Sequence, residues 1–288
     1  MIKVIASDMD GTLLNEKHEI SEESIASINK AGEAGITFVI STGREYSSVE
    51  TLLKNNNIRC QCVLMNGAEY RDENGNIVET INIEKSTARK IIDIMKEAKL
   101  TARIFTNKGV YTIESKEEAL KEVAYRTQSF DPNLTLEEAI ELAKKQPYFI
   151  QLKYVKNIDE FFNSDIEVRK FVAFHKDIET INKMKKILGD IEGLAVSSSF
   201  IDNIEITDVR AQKGIILAKV AHKMGINKDE VLVLGDSFND YSMFTEFTES
   251  VAMGNAIPEI KKIAKYITDT NANNGVAKAI YKVIEQQK

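Results

Sequence analysis

The chain has 288 residues, with 38 Lys and Arg against 44 Asp and Glu, a net charge of −6 that disfavours nucleic acid as the main partner, since phosphate backbones select basic faces. Hydrophobic residues make up 43% and charged residues 28%, the balance of a globular chain able to bury a core without staples. No run approaches the ~20 apolar residues of a membrane span, and the opening "MIKVIASDMD" lacks the basic and long apolar regions of a secretory leader, so a cytoplasmic protein with no membrane partner is expected. "IKVIAS" (Ile2 to Ser7) reads as a buried strand. A helix follows from about Ser21 to Ala34, where Ile25 and Ile28 stand three apart and Gly35 marks the stop. "ITFVIST" (Ile36 to Thr42) and "CVLMNG" (Cys62 to Gly67) read as the next strands. Cys60 and Cys62 have no second Cys/His pair to complete a zinc site and read as reduced thiols.

Short β-branched runs between helices predict a parallel sheet covered on both faces. The segment "AEYRDENGNIVETINI" holds an Asn74-Gly75 hairpin turn. Then come a helix over about Ser86 to Lys99, strands near "ARIFTN" and "VYTIES", and a helix over about Leu136 to Lys145. Strands near "YFIQLKY" and "RKFVAFH" and a helix over about Ile178 to Leu188 complete a mixed α+β stretch. After about Val196 the alternating α/β style returns, with a helix "KGIILAKVAHKMG", a strand "EVLVLGD" and two short strands, "SVAMGN" and "KYITDT". The fold expected is α/β: a Rossmann-like parallel-sheet core of residues 1–83 and 195–288, split by an α+β insertion over 84–194.

Four apolar runs end in small or polar residues: Asp8, Ser41-Thr42-Gly43, Asn66-Gly67 and Gly235-Asp236. In an open parallel sheet such ends share one edge, where ligands bind. Asp8 and Asp10 stand two apart, and Gly11 lets the chain turn after them. One carboxylate suffices to attack phosphorus. A second can protonate the leaving oxygen and then deprotonate water. Both repel an anionic phosphate, so a cation is needed, and Mg²⁺ is the oxygen-seeking ion held by one or two carboxylates. Asp236 can complete that site, with Ser237, Asn239 and Asp240 following. Thr42 offers a hydroxyl and Gly43 an open N–H to phosphate. Lys213 opens a helix, where the dipole disfavours a cation, so it needs an anion beside it.

"DMDGTLL" resembles the first motif of the haloacid dehalogenase superfamily, DxDGT. "VISTGR" (Val39 to Arg44) resembles the second, Lys213 the third, and "GDSFNDYSM" (Gly235 to Met243) the fourth, GDxxND. An insertion of this size between the second and third motifs resembles the cap of the Cof-type (IIB) branch, mainly phosphatases of sugar phosphates and other small metabolites. The resemblance implies that Asp8 is the nucleophile, forming an aspartyl-phosphate, and a Mg²⁺ ligand. Asp10 is then the general acid/base, binding metal through its carbonyl. Met9, Thr42, Gly43, Lys213 and Asn239 hold phosphate, Lys213 also serving catalysis. Asp236 binds Mg²⁺ with Ser237 and Asp240 close by, and Asn66 lies near the site. Ser41 competes with Thr42 for the phosphate, and Arg44 fits a surface or a substrate role equally. His18, His175 and His222 form no ligand set.

The function expected is a Mg²⁺-dependent phosphatase of small phosphorylated metabolites: sugar phosphates first, then pyridoxal phosphate or flavin mononucleotide. A phosphomutase on the same fold is the enzymatic alternative, and a non-catalytic sensor of phosphorylated metabolites the other. The insertion is expected to act as a lid that reads the substrate beyond its phosphate. Glu114, Lys116 and Arg126 are its charged candidates, unranked by sequence. Oligomeric state has no signal.

Overall fold

The computed structural model describes residues 1–287. The chain forms two compact units, Met1–Ile81 with Val209–Lys288, and Asn82–Asp208. Among the described residues no helix is long and apolar enough to cross a membrane.

The first unit begins with β1 (Val4–Ser7), α1 (Glu22–Glu33), β2 (Thr37–Ser41), α2 (Tyr46–Asn55), β3 (Gln61–Leu64), β4 (Glu69–Arg71) and β5 (Ile77–Thr80). The Ser21 side chain caps α1 by accepting the Ser24 N–H at 3.2 Å, a contribution of about 1 kcal/mol. The second unit runs α3 (Lys85–Glu97), β6 (Ala102–Thr106), β7 (Gly109–Thr112), α4 (Lys116–Phe130), α5 (Leu136–Ala143), α6 (Pro147–Ile150), β8 (Lys153–Tyr154), α7 (Ile158–Asn163), β9 (Val168–Phe174), α8 (Ile178–Gly189), β10 (Leu194–Ser197) and β11 (Asn203–Asp208). The chain then returns to the first unit with α9 (Lys213–Lys223), β12 (Val231–Gly235), α10 (Tyr241–Glu246), β13 (Glu249–Ala252), α11 (Pro258–Ile263), β14 (Tyr266–Ile267) and α12 (Gly275–Gln286).

The first sheet has the order β14-β13-β12-β1-β2-β3-β4-β5. It is parallel from β14 to β3 and ends in the antiparallel β4–β5 hairpin around Asn74-Gly75. Its central strands β1 and β12 are buried along their whole length, as near-continuous apolar runs require. Parallel pairing aligns the strand ends: Ser7 lies opposite Ile40 and Leu234, and Ser41 opposite Val63. Asp8, Thr42, Met65 and Asp236 therefore leave the sheet along one edge.

The second sheet has the order β10-β11-β9-β6-β7-β8 and is antiparallel but for β7–β8. One face carries Ile104, Phe171, Ala173, Ile204 and Ile206, which pack with Ile91, Met95, Met184 and Leu188 of α3 and α8. Two expectations need correction. The boundary expected at 194 falls at 208, because β10 and β11 extend the second sheet through β9. The strand expected near Tyr148–Tyr154 opens as the helical turn α6, started by Pro147 at its first position, and only Lys153–Tyr154 is strand. Helix α4, the longest among the described residues, arises where no element was expected.

Candidate active site

Asp8 directly follows β1, and its N–H continues the ladder to the Leu234 carbonyl at 3.0 Å. The chain then makes one wide turn over Met9–Leu13, closed by the Leu14 N–H on the Met9 carbonyl at 2.8 Å. Gly11 sits in this turn with φ +77, where a Cβ would lie 2.5 Å from Asp236 Oδ2. Only glycine lets the turn and Asp236 come this close. Two asparagines hold the turn from outside. Asn255 donates to the Gly11 carbonyl and Asn271 to the Leu14 carbonyl, both at 2.8 Å.

Asp236 follows β12, and its Oδ1 accepts the Thr12 hydroxyl at 2.7 Å. Lys213, the first residue of α9, is fully buried and donates to Asp8 Oδ1 and Asp240 Oδ1, both at 2.6 Å. The anion that a lysine at a helix start requires is thus a pair of carboxylates. Gly214 makes this placement feasible: α9 runs against α10 with the Gly214 N–H on Ser242 Oγ at 2.9 Å, and a Cβ there would collide with the Ser242 carbonyl. Asp240 shapes the loop as well. Its Oδ2 accepts the N–H groups of Asp236 (2.9 Å) and Ser237 (3.1 Å), so both oxygens are engaged.

Asp8, Asp236 and Asp240 each bring one carboxylate oxygen within 4.8 Å of the others. Burial pushes Asp8 well above the usual carboxylate range, with Asp240 and Asp236 adding to the rise and Lys213 opposing it. Burial and then Asp240 push Asp236 up to about 7. Burial alone would lower Lys213, but Asp240 and Asp8 outweigh it and hold the ammonium charged. One lysine does not neutralise three clustered acids, two buried and Asp236 half-buried, and a divalent cation would. Among the described residues no hydrogen bond reaches Asp8 Oδ2 or Asp236 Oδ2, the two oxygens such an ion would use. The donor set is all oxygen, which suits a hard cation.

Asp10 stands apart from this cluster. Its side chain is 35% exposed and receives a two-pronged contact from Arg44, Nε to Oδ2 at 2.8 Å and Nη2 to Oδ1 at 2.6 Å. His18 Nδ1 lies 3.9 Å from Oδ1. Arg44, which sequence left between a surface and a substrate role, grips Asp10. The Thr42 hydroxyl accepts the Arg44 N–H at 3.2 Å and keeps its own proton to donate. The Ser41 hydroxyl is buried with no hydrogen-bond partner among the described residues. Asn66 is buried in the turn after β3, in a left-handed conformation (φ 59), and its N–H reaches the Thr42 carbonyl at 3.0 Å. Ser237 opens the turn Phe238–Asp240 in a capping box with Asp240, and Asn239 sits half-buried inside it. Gly43 lies between Thr42 and Arg44 in the same loop, and Met9 is buried beside Asp8.

The sequence matches the haloacid dehalogenase-like hydrolases over residues 5–280. The chain belongs to this family. It is 32% identical to the phosphatase YwpJ of Bacillus subtilis over 96% of this chain and 98% of that protein. It is 33% identical to the 5-amino-6-(5-phospho-D-ribitylamino)uracil phosphatase YcsE of the same organism, over 97% of this chain and 94% of that one. Among solved structures, a haloacid dehalogenase-like hydrolase from B. subtilis superposes with a TM-score of 0.85 at 31% identity, covering 97% of this chain and 99% of its own. As a Cof-type member with phosphatases as its relatives, the chain is a phosphatase of the haloacid dehalogenase-like hydrolases that acts on phosphorylated small molecules.

Asn255 and Asn271 are the contributors that sequence reasoning passes over, since they touch the site only through backbone carbonyls and no local pattern marks them. Thr12 and Arg44 lie inside the quoted motifs, but their partners Asp236 and Asp10 show only in the structure.

Proposed function

We propose that the chain hydrolyses phosphate monoesters of small metabolites in two steps through Asp8, with Mg²⁺ held by Asp8, Asp236 and the Asp10 carbonyl. The observation that carries this reading is the meeting of Asp8, Asp236 and Lys213 in one cluster, with Asp10 gripped separately at its edge. An Asp8 oxygen bonds to phosphorus as the ester oxygen leaves, and Asp10 gives that oxygen its proton. Asp10 then takes a proton from water, which attacks phosphorus and releases Asp8 and inorganic phosphate. Lys213 holds Asp8 in place and offsets charge on the phosphoryl group, and Thr42, Gly43, Asn239 and the Met9 N–H bind its oxygens. The cation, when bound, supplies neutralisation of the acid cluster and of the phosphate. Ser237 and Asp240 arrange the Asp236 loop, since both Asp240 oxygens are already taken.

Substrate selection is assigned to the second unit. A phosphate-release screen tests the function. Sugar phosphates, 5-amino-6-(5-phospho-D-ribitylamino)uracil, named as the substrate of a relative, pyridoxal phosphate and flavin mononucleotide form the panel. Release is expected with Mg²⁺ and loss of at least about 90% of it with a chelator, restored by adding Mg²⁺ back. No release from any ester, or release indifferent to chelation, counts against the reading.

The Arg44 grip adds a sharper expectation. Asp10 matters most where the leaving oxygen needs a proton, and a side chain this exposed needs holding. Arg44→Met is expected to lower kcat/KM, which reports the step that expels the leaving group, about tenfold more for alkyl phosphates than for p-nitrophenyl phosphate, whose leaving group departs without a proton. Arg44→Lys keeps the charge without the fork and should recover only part of the rate. Equal losses on both esters would make Arg44 a structural residue only.

A further inference from the structure

The link between β13 and α11 touches both halves of the acid site. The Met253 N–H donates to the Gly235 carbonyl at 3.1 Å, and the Ile257 N–H donates to the Asp236 carbonyl at 3.0 Å. Between these two contacts Asn255, itself exposed, reaches the other half. Its Nδ2 donates to the Gly11 carbonyl at 2.8 Å, and its Oδ1 accepts the Asn271 N–H at 2.9 Å. The link is anchored in turn. The Gly254 N–H donates to the Asp269 carbonyl at 3.0 Å, and Lys261 Nζ donates to the Gly254 carbonyl at 2.6 Å.

These bonds close a circuit. The turn after β1 touches Asp236 through the Thr12 hydroxyl on Oδ1. Asp236 touches Ile257 through its carbonyl, and Asn255, two residues before Ile257, returns to the turn at Gly11. An amide suits this place because one end donates while the other accepts, and the Asn271 N–H decides which end faces Gly11. Such an exposed amide contributes little to stability, since water competes for both of its ends. What it fixes is a distance. Gly11 approaches Asp236 so closely that a Cβ would lie 2.5 Å from Oδ2. The same gap separates the turn that carries Asp8 and Asp10 from the carboxylate of Asp236, and a cation shared by the three must bridge it. Mg²⁺ demands near-ideal octahedral geometry, so a gap that wanders weakens its binding. Groups that orient metal ligands from outside typically set affinity by about 10- to 100-fold.

We infer that Asn255 is a positioning residue for the cation: it fixes the separation of the Asp8–Asp10 turn from Asp236, and so sets how tightly Mg²⁺ binds rather than how fast the loaded enzyme turns over. Asn271 supports it by holding the Asn255 amide in one orientation and the Leu14 carbonyl at the far end of the turn. The inference rests on the reading of the chain as a Mg²⁺-dependent phosphatase.

Mg²⁺ titrations of the full chain test this, by calorimetry on the resting protein and by phosphate release from p-nitrophenyl phosphate. Asn255→Leu keeps the branched shape and adds no charge, but it neither donates nor accepts. It is expected to raise the Mg²⁺ dissociation constant about tenfold, and the Mg²⁺ concentration for half-maximal release by the same factor. At saturating Mg²⁺ its kcat and ester KM should stay within about threefold of the parent. Asn255→Gln, which keeps the amide one methylene further out, should recover part of the affinity. Asn271→Ala, which cuts only the Leu14 contact, should have a smaller effect than Asn255→Leu. Ser21→Ala removes the cap of α1 and serves as the structural control, with a lower melting temperature and an unchanged Mg²⁺ constant. Should Asn255→Leu fail to fold, Asn255→Ser, too short to reach Gly11, carries the same expectation. A Mg²⁺ constant unchanged in the Asn255 variant, a kcat loss that saturating Mg²⁺ does not restore, or a shift shared by Ser21→Ala overturns the inference and leaves the phosphatase reading standing. A parent protein that neither binds nor needs Mg²⁺ ends that reading, and the inference with it.

Discussion

Asp8→Asn is expected to lower phosphate release by about 10⁴-fold or more, the scale on which removal of a covalent nucleophile acts. The change is small in every other respect. The amide keeps an oxygen for the Lys213 ammonium, which sits 2.6 Å from Asp8 Oδ1. Folding is expected to hold or improve, and the sign follows from the acid cluster. Burial pushes Asp8 well above the usual carboxylate range. A carboxylate raised on folding costs stability while it is ionised, and the cost fades as pH falls through its raised value. Asparagine sheds that charge at every pH. The paired measurements are phosphate release and the melting temperature without added metal. A variant that keeps more than about a tenth of the rate removes Asp8 from its role. One that loses the rate together with the fold says nothing for chemistry, and in that case Asp8→Glu, which keeps the charge but moves the oxygen, must show the same loss of rate in a folded protein.

Much of the core was legible because local and global signals agree there. Val4–Ser7, Thr37–Ser41 and Val231–Gly235 are apolar runs that end in Asp, Ser-Thr or Gly-Asp, and parallel pairing carries those ends to one edge. Lys213 announced its own need, since a buried cation at a helix start has few ways to exist. The second unit was harder. Among its described side chains helix α4 buries only Ala119, Val123 and Ala124, too thin an apolar stripe to stand out, although Ser115 and Glu118 form a capping box at its start. Around Tyr148 a run of aromatic and β-branched residues suggested a strand, and the proline before it decided for a helical turn. In β11 the alternation of Asn203, Glu205 and Thr207 with Ile204 and Ile206 is the period-2 pattern of a sheet with two unlike faces. That polar–apolar alternation separates β11 from the near-continuous apolar runs of β1 and β12, although β11 is buried along its whole length too, and only its pairing with β9 shows where the unit ends. Arg44 stood among the candidates without its partner, because its grip on Asp10 is a matter of angstroms that no spacing shows.

Lys213→Met should damage the fold as well as the reaction. Among the described residues the lysine is the one cation bonded to Asp8 and Asp240, at 2.6 Å to each, and none of its surface reaches solvent. Methionine fills most of the space but leaves two buried carboxylates facing one another, with Asp236 close by. Breaking a buried ion pair from one side costs about 3–5 kcal/mol. For a unit of this size that corresponds to a fall in melting temperature of roughly 10 °C. The damage spreads because Asp240 also receives the N–H groups of Asp236 and Ser237, so an Asp240 carboxylate that swings away loosens the loop carrying Asp236. Turnover should fall by about 10²-fold or more, since the phosphoryl group loses its fixed positive partner. Mg²⁺ distinguishes charge from packing as the cause. If the loss is one of charge, millimolar Mg²⁺ should raise the melting temperature of the variant more than that of the parent, because an added cation relieves the acids that the lysine had balanced. Equal shifts in both proteins would trace the loss to packing around position 213 and would sever the link between Lys213 and the acid cluster.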